Sequence, residues 1–305
     1  MRADVPVTSF ITSEINLLVY WRTSVELIEK IFSFLTISSI FIGGTGFFLV
    51  YLGFLFLGMN PCILTCFSVA LMTFGTYCLD KLKGSDEDLL NMPERQSFFS
   101  GRKKLAKICS VAAVVLAIML TIFSRPSSLP IVLSPVLANI VYASRLLPGV
   151  PRLKDIPVIK NVVVASIWAT GGTLLPAMSM KHEQSLMIAA VFYFMIAKCF
   201  INTVLYDVRD LKGDRENNVR TLPVILGERK TIGVLLLMNS TLLPLLKFAE
   251  TNIRPLAAVM VLYGYAYILY FRKRRNPLAL EFFVDGEWML AFILLSALKG
   301  LGLWV

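Results

Sequence analysis

The chain has 305 residues, 56% of them hydrophobic, and carries 30 Lys and Arg against 20 Asp and Glu for a formal charge of +10; its mean hydropathy is +0.71. Soluble domains average only about 45–50% apolar residues, so these figures exclude a soluble fold. Long unbroken apolar runs such as 31–57, 111–123 and 187–205 also exclude a β-barrel, whose strands alternate apolar and polar positions, and leave a bundle of helices that satisfy their own backbones in lipid.

Residues 1–25 are mixed polar, with Glu14 and Arg22 interrupting any apolar core of a signal peptide, and are expected as a cytoplasmic N-terminal segment without a cleavable signal. Nine spans of about 19–25 residues follow. They centre on Ile40, Ser68, Leu116, Val136, Trp168, Met195, Thr241, Tyr263 and Leu294. The first holds Gly43, Gly44 and Gly46, so it is expected as either one tilted helix or a broken one. Five cysteines (Cys62, Cys66, Cys78, Cys109 and Cys199) lie in or beside apolar segments without a C-x-x-C, and there is a single His182. They are expected as buried small hydrophobes, without disulfides or zinc.

Charge fixes the orientation. The N-terminus and the even-numbered connections together hold 24 Lys and Arg, the opposite side four, and Lys198 and Lys299 fall inside spans. This positive-inside asymmetry predicts a cytoplasmic N-terminus and an external C-terminus. It also accounts for most of the net charge, so nucleic acid is not an expected partner. The expectation is therefore an all-α polytopic membrane protein of nine transmembrane helices, 1–305 forming a single transmembrane domain, multi-pass in the plasma membrane of a prokaryote.

Two loops on the basic side differ from the others. Seven of the 20 carboxylates sit in 80–88 and 207–214. Asp207, Asp210 and Asp214 are spaced i, i+3, i+7, within about 60° of arc on one helix face. Clustered carboxylates repel one another unless a cation lies among them, and hard oxygen donors favour Mg²⁺ or Ca²⁺. Arg209, Lys212, Arg215 and Arg220 are interleaved, and guanidinium and ammonium groups suit phosphate oxygens. The first cluster repeats the recipe: Asp80 at the end of span 2, then Asp86 and Asp88, with Arg95 beyond. A charged loop is ordinarily a set of solvated ion pairs. The facial spacing of the second cluster and the recurrence four spans apart favour instead one Mg²⁺–diphosphate site between two halves.

At these residues the sequence resembles the UbiA-type intramembrane prenyltransferases. The stretch Tyr206-Asp207-Val208-Arg209-Asp210-Leu211-Lys212-Gly213-Asp214-Arg215, followed by Arg220-Thr221-Leu222-Pro223-Val224 and Gly227, is similar to their second aspartate motif. The first motif, of the form N-D-x-x-D-x-x-x-D-x-x-N-x-P-x-R, is matched in its second half by Asp88, Asn91, Pro93 and Arg95. Its first half departs: Asp80 stands at the Asn, Lys81 at the adjoining Asp and Gly84 at the middle Asp, with Asp86 as a substitute. A third similarity runs from Tyr142 and Arg145 through Arg152 and Lys154 to Lys160 and Asn161.

The resemblance implies nine helices ringing a central cavity that opens to lipid, and Mg²⁺-dependent ionisation of a prenyl diphosphate to an allylic carbocation that an acceptor attacks. It implies Asp80, Asp86, Asp88, Asp207, Asp210 and Asp214 at the metal, with Asp80, Asp88, Asp207 and Asp210 catalytic. Arg95, Lys160, Lys212, Arg215, Arg220, Tyr142 and Tyr206 would hold the diphosphate end of the substrate. Tyr77, Tyr142, Trp168 and Tyr206 are candidate π faces for the cation, although each taken singly is first a packing or interface aromatic. The acceptor is an aromatic or other lipid precursor. Two other functions stay open: a terpene cyclase on the same scaffold, and a non-catalytic lipid-binding relative. Transport is disfavoured, because only Lys198 and Lys299 lie inside spans. Lys198, nine residues before Asp207, is expected on the opposite face of its helix; a charge inside a span is costly and often functional, and that reading stands level with simple pairing to a polar group such as Asn202. Glu281, Asp285 and Glu287 are expected in a solvated loop.

Overall fold

Apolar runs bounded by proline and glycine set the elements of the computed structural model. It describes residues 26–83, 98–99, 101–143, 156–178, 180, 184–217, 219–249, 251–273 and 276–303. Helices α1 (Glu26–Ile37) and α2 (Ile40–Phe56) are followed by α3 (Ile63–Lys83), α4 (Lys103–Ser124), α5 (Leu129–Ala143) and α6 (Ile159–Ala169). Then come α7 (Ser185–Glu216), α8 (Glu228–Ser240) with a 3₁₀ continuation over Leu243–Phe248, α9 (Arg254–Phe271) and α10 (Glu287–Gly300). No strand occurs among the described residues. Five helices, α3, α4, α7, α8 with its continuation and α9, are long and apolar enough to cross a membrane, and the bent pair α1 and α2 makes a sixth if counted as one span.

The first apolar stretch is broken, by 74°, but not at its glycines. The break falls at Ser39, which has φ 70°. Gly43 and Gly46 lie inside α2 and let α3 approach: a Cβ at Gly43 would sit 3.1 Å from the Ala70 carbonyl oxygen, and one at Gly46 2.9 Å from Thr73 Oγ1. Small residues also join α3 to α4. The buried residues of α4 are Ser110, Ala113, Ala117 and Thr121, while Leu105, Ile108, Val115, Met119 and Phe123 are exposed. A helix that buries small residues and exposes large apolar ones is what lipid as solvent selects.

α7 is the axis of the molecule. Its 32 residues extend about 48 Å, longer than the hydrocarbon core of about 30 Å, so a helix that crosses the bilayer carries its polar C-terminal turns beyond it. The main core cluster packs Val191, Phe194, Met195 and Cys199 of α7 against Leu49, Val50 and Leu52 of α2, Ala165 and Ala169 of α6, Met260 of α9 and Trp288 of α10. Two cysteines depart from expectation. Cys66, Cys78 and Cys199 are buried, but Cys62 and Cys109 are exposed, and all five are free thiols.

Candidate functional site

Each of the three aspartates of α7 meets different partners. Asp207 is 3% exposed. The first turn of α6, which opens at Val158 with φ 67°, aims two side chains at it. Asn161 Nδ2 donates to Asp207 Oδ2 at 2.8 Å, and the Lys160 ammonium lies 3.6 Å from Oδ1. Asn161 is itself buried, whereas half of the Lys160 side chain is exposed, so the aspartate is gripped from within and neutralised from outside. Asp210 takes both oxygens to its chain neighbour: Arg209 Nε and Nη2 donate to Oδ1 and Oδ2 at 2.7 Å each. Asp214 accepts from Thr221 Oγ1 at 3.0 Å. That contact follows from the chain reversal after α7, where Val219 N–H donates to the Asp214 carbonyl. Thr221 stands at the N-cap of the short helix Leu222–Leu226, begun by Pro223 and stopped by Gly227 with φ 79°. Its hydroxyl serves the aspartate and not the helix end. Among the described residues no three His, Cys, Asp or Glu side chains form a ready-made metal cage. What is present is a set of three carboxylates, each with a donor of its own.

Lys212, Arg215 and Arg220 are exposed around this helix end. Asp80 is exposed in the last turn of α3. The next residue, Lys81, donates to the carbonyls of Thr36 at 2.6 Å and Ile37 at 3.3 Å, at the break between α1 and α2, where helical carbonyls lose their own donors. Trp168 Nε1 donates to the Tyr77 hydroxyl at 3.2 Å. Asp86, Asp88, Arg95, Arg145, Arg152 and Lys154 lie outside the described residues, as does the side chain of Tyr142.

A fourth acid joins from the C-terminal end of the chain. The short helix Pro277–Leu280 runs into a π-turn over Glu281–Asp285 before α10, and the Tyr206 hydroxyl donates to Asp285 Oδ2 at 2.5 Å. The Arg209 guanidinium lies over the Tyr206 ring, 4.8 Å from its centre. The Asp285 carboxylate is thus among Tyr206, Glu281, Arg209 and Lys81. The expectation of a solvated loop at Glu281, Asp285 and Glu287 is therefore corrected for the last two. Glu287 is 1% exposed and pairs with Lys198 at 2.5 Å. Lys198 also donates to the Met260 carbonyl at 3.0 Å and lies over the Tyr267 ring at 4.8 Å. Asn202, the expected partner of Lys198, instead donates to the Val284 carbonyl at 3.2 Å. Burial forces this exchange: an ammonium inside the bundle needs a full counter-charge, which an amide lacks. A sequence signal for it existed, because a lysine amid the apolar run of α7 calls for a carboxylate on a neighbouring helix, and Glu287 heads an apolar segment.

Comparison with known proteins gives the family and the fold. The model of the UbiA prenyltransferase family matches residues 33–295. Digeranylgeranylglyceryl phosphate synthase of Methanoculleus marisnigri is 31% identical over 180 residues, which cover 56% of this chain and 59% of that protein. The enzyme of the same name from Natronomonas pharaonis is 29% identical over 154 residues, 49% of this chain and 51% of the relative. The chain therefore spans between half and three-fifths of the length of these relatives. A UbiA homolog from Archaeoglobus fulgidus, solved with GPP and Mg²⁺ bound, superposes with a TM-score of 0.60 at 15% identity, covering 86% of this chain and 99% of that one. A structure described for digeranylgeranylglyceryl phosphate synthase gives 0.51 at 17% identity, over 85% and 93%. The solved structures establish the likeness of fold, and the family model matches most of the chain: this protein belongs to the UbiA prenyltransferase family.

Proposed function

We propose that the chain transfers an isoprenyl group from a prenyl diphosphate to an acceptor, at the end of α7. The observation that carries this reading is the set Asp207, Asp210 and Asp214 on one helix, with Lys160 3.6 Å from Asp207 and Lys212, Arg215 and Arg220 exposed at the same end of the helix. The C1–O bond of the donor breaks, and diphosphate leaves with the bonding electrons. The acceptor forms the new bond to C1 and gives up a proton. Two of the relatives are named digeranylgeranylglyceryl phosphate synthase, which supports a prenylated glyceryl phosphate as the acceptor.

The donor set is entirely oxygen, which suits Mg²⁺. Asp207, Asp210 and Asp214, with Asp80, Asp86 and Asp88 from the first cluster, would hold it. The ion supplies Lewis-acid stabilisation of the departing charge. Arg209 donates to both oxygens of Asp210, so a cation held by Asp210 would share those oxygens with the guanidinium unless Arg209 turned aside. Lys160, Lys212, Arg215, Arg220 and Arg95 would receive the diphosphate oxygens, with Tyr142 and Tyr206 beside them. Tyr77 and Trp168, joined by a hydrogen bond, would offer ring faces to the carbocation, since charge near a π face is stabilised in a water-poor site.

The 24-to-4 basic asymmetry supports a site on the cytoplasmic side and the count of nine spans, and the family match over residues 33–295 supports a single membrane domain. The test is turnover of a labelled prenyl diphosphate by the purified chain with Mg²⁺, with and without a prenylated glyceryl phosphate. Asp207→Asn and Asp210→Asn are expected to abolish it. Undiminished turnover in both variants overturns the assignment, and product made without any acceptor replaces transfer by cyclisation.

A further inference from the structure

The segment 281–287 is built to hold one acid. Three consecutive carbonyls of this segment each receive a side chain from a different helix. Tyr263 Oη of α9 donates to Phe283 O at 2.8 Å, Asn202 Nδ2 of α7 to Val284 O at 3.2 Å, and Thr45 Oγ1 of α2 to Asp285 O at 3.2 Å. A fourth tie follows two residues later, where Glu287 pairs with Lys198 of α7. The π-turn explains the need, because it shifts the helical hydrogen-bond register and leaves carbonyls to be met from outside; such turns recur at functional sites.

Gly286 closes the device. A Cβ there would sit 2.1 Å from the Phe282 carbonyl oxygen and 3.0 Å from Phe41 Cζ of α2, so only glycine lets the turn pack this tightly. The side chain so fixed is Asp285, whose carboxylate takes the hydroxyl of Tyr206, the residue next to Asp207.

We propose that Asp285 is a positioning residue of the α7 site: it fixes the Tyr206 hydroxyl, and through the Tyr206 ring it governs how tightly Arg209 holds Asp210. The proposal rests on the reading of 206–221 as a Mg²⁺–diphosphate site. Arg209 has two sets of negative neighbours. Asp210 holds it in a paired hydrogen bond, while Tyr206 carries its guanidinium on the ring face toward Asp285 and Glu281. With Asp285 in place, Arg209 keeps a second home when a cation claims Asp210. Without it, Arg209 and the cation compete for the same two oxygens, and more Mg²⁺ is required.

The test follows thermal stabilisation of the purified full chain in detergent micelles as Mg²⁺ is titrated at fixed inorganic diphosphate, alongside KM and kcat for the prenyl diphosphate. A hydrogen bond to a charged group is worth about a tenfold change or more in binding. Asp285→Asn and Tyr206→Phe are each expected to raise the Mg²⁺ midpoint by about tenfold, and the double variant no further than either alone. Arg209→Gln is expected to lower the midpoint, a sign that mere loosening of the fold does not produce. Tyr206→Phe removes a single oxygen, which guards against a misfolded Asp285 variant. If the wild type responds and Asp285→Asn and Tyr206→Phe respond equally well, the inference falls while the site stands. Additive effects of the two substitutions overturn it as well. A wild type with no Mg²⁺–diphosphate stabilisation overturns the site reading and this inference with it.

Discussion

Glu287→Gln isolates the buried charge at the centre of the bundle. Lys198 and Glu287 have side chains 0% and 1% exposed and lie 2.5 Å apart. The substitution keeps the shape and removes the negative charge. The ammonium is left with the Met260 carbonyl at 3.0 Å and the face of Tyr267 at 4.8 Å. Breaking one side of a buried pair costs about 3–5 kcal/mol. A desolvated cation–π contact is worth about 2 kcal/mol, but it is present before and after and does not offset the loss. Against a total stability of about 5–15 kcal/mol, the variant is expected to lose about a fifth or more. Lys198→Met with Glu287→Leu removes both charges and is expected to fall within about 1 kcal/mol of wild type or above it, since apolar replacement of a whole buried pair is often neutral or stabilising. Denaturant unfolding of the full chain in micelles, followed by helical circular dichroism, measures both. A single variant within about 1 kcal/mol of wild type refutes the reasoning, because the cost of leaving a buried charge without its partner would then be absent; so does a double variant as unstable as Glu287→Gln.

Three further outcomes are expected. Asn161→Ala removes the buried donor to Asp207 and is expected to raise KM for the prenyl diphosphate by about tenfold, on the scale of a hydrogen bond to a charged group, and to lower stability by about 1–3 kcal/mol because the buried carboxylate loses a partner. Gly53→Ala brings a Cβ 1.8 Å from the Gly172 carbonyl oxygen, whereas Gly172→Ala meets the end of the Leu49 side chain at 2.4 Å. The first is expected to cost at least about 3 kcal/mol and the second less, on the scale of overpacked cores, and unfolding midpoints rank them. Lys81→Met removes the donor that serves the Thr36 and Ile37 carbonyls, and faster amide exchange at Ser38–Ile40 is the expected readout.

Composition and periodicity alone determine that this chain is helical and belongs in a membrane, because apolar runs of this length have no other stable environment. Motif spacing alone places Asp207, Asp210 and Asp214 on one face of one helix, because 3.6 residues per turn is a local property. Pairing is not local. That Asp207 faces Asn161 and Lys160, that Lys198 finds Glu287 rather than Asn202, and that the first apolar stretch breaks at Ser39 rather than at its glycines all depend on which helices come to lie side by side. Asp285 is the clearest case. In the sequence it is one acid in a short acidic stretch, with the look of a solvated loop. It reaches Tyr206 only because α2, α7 and α9 each supply a donor to the carbonyls around it, and such a convergence of separate segments exists only in the folded chain.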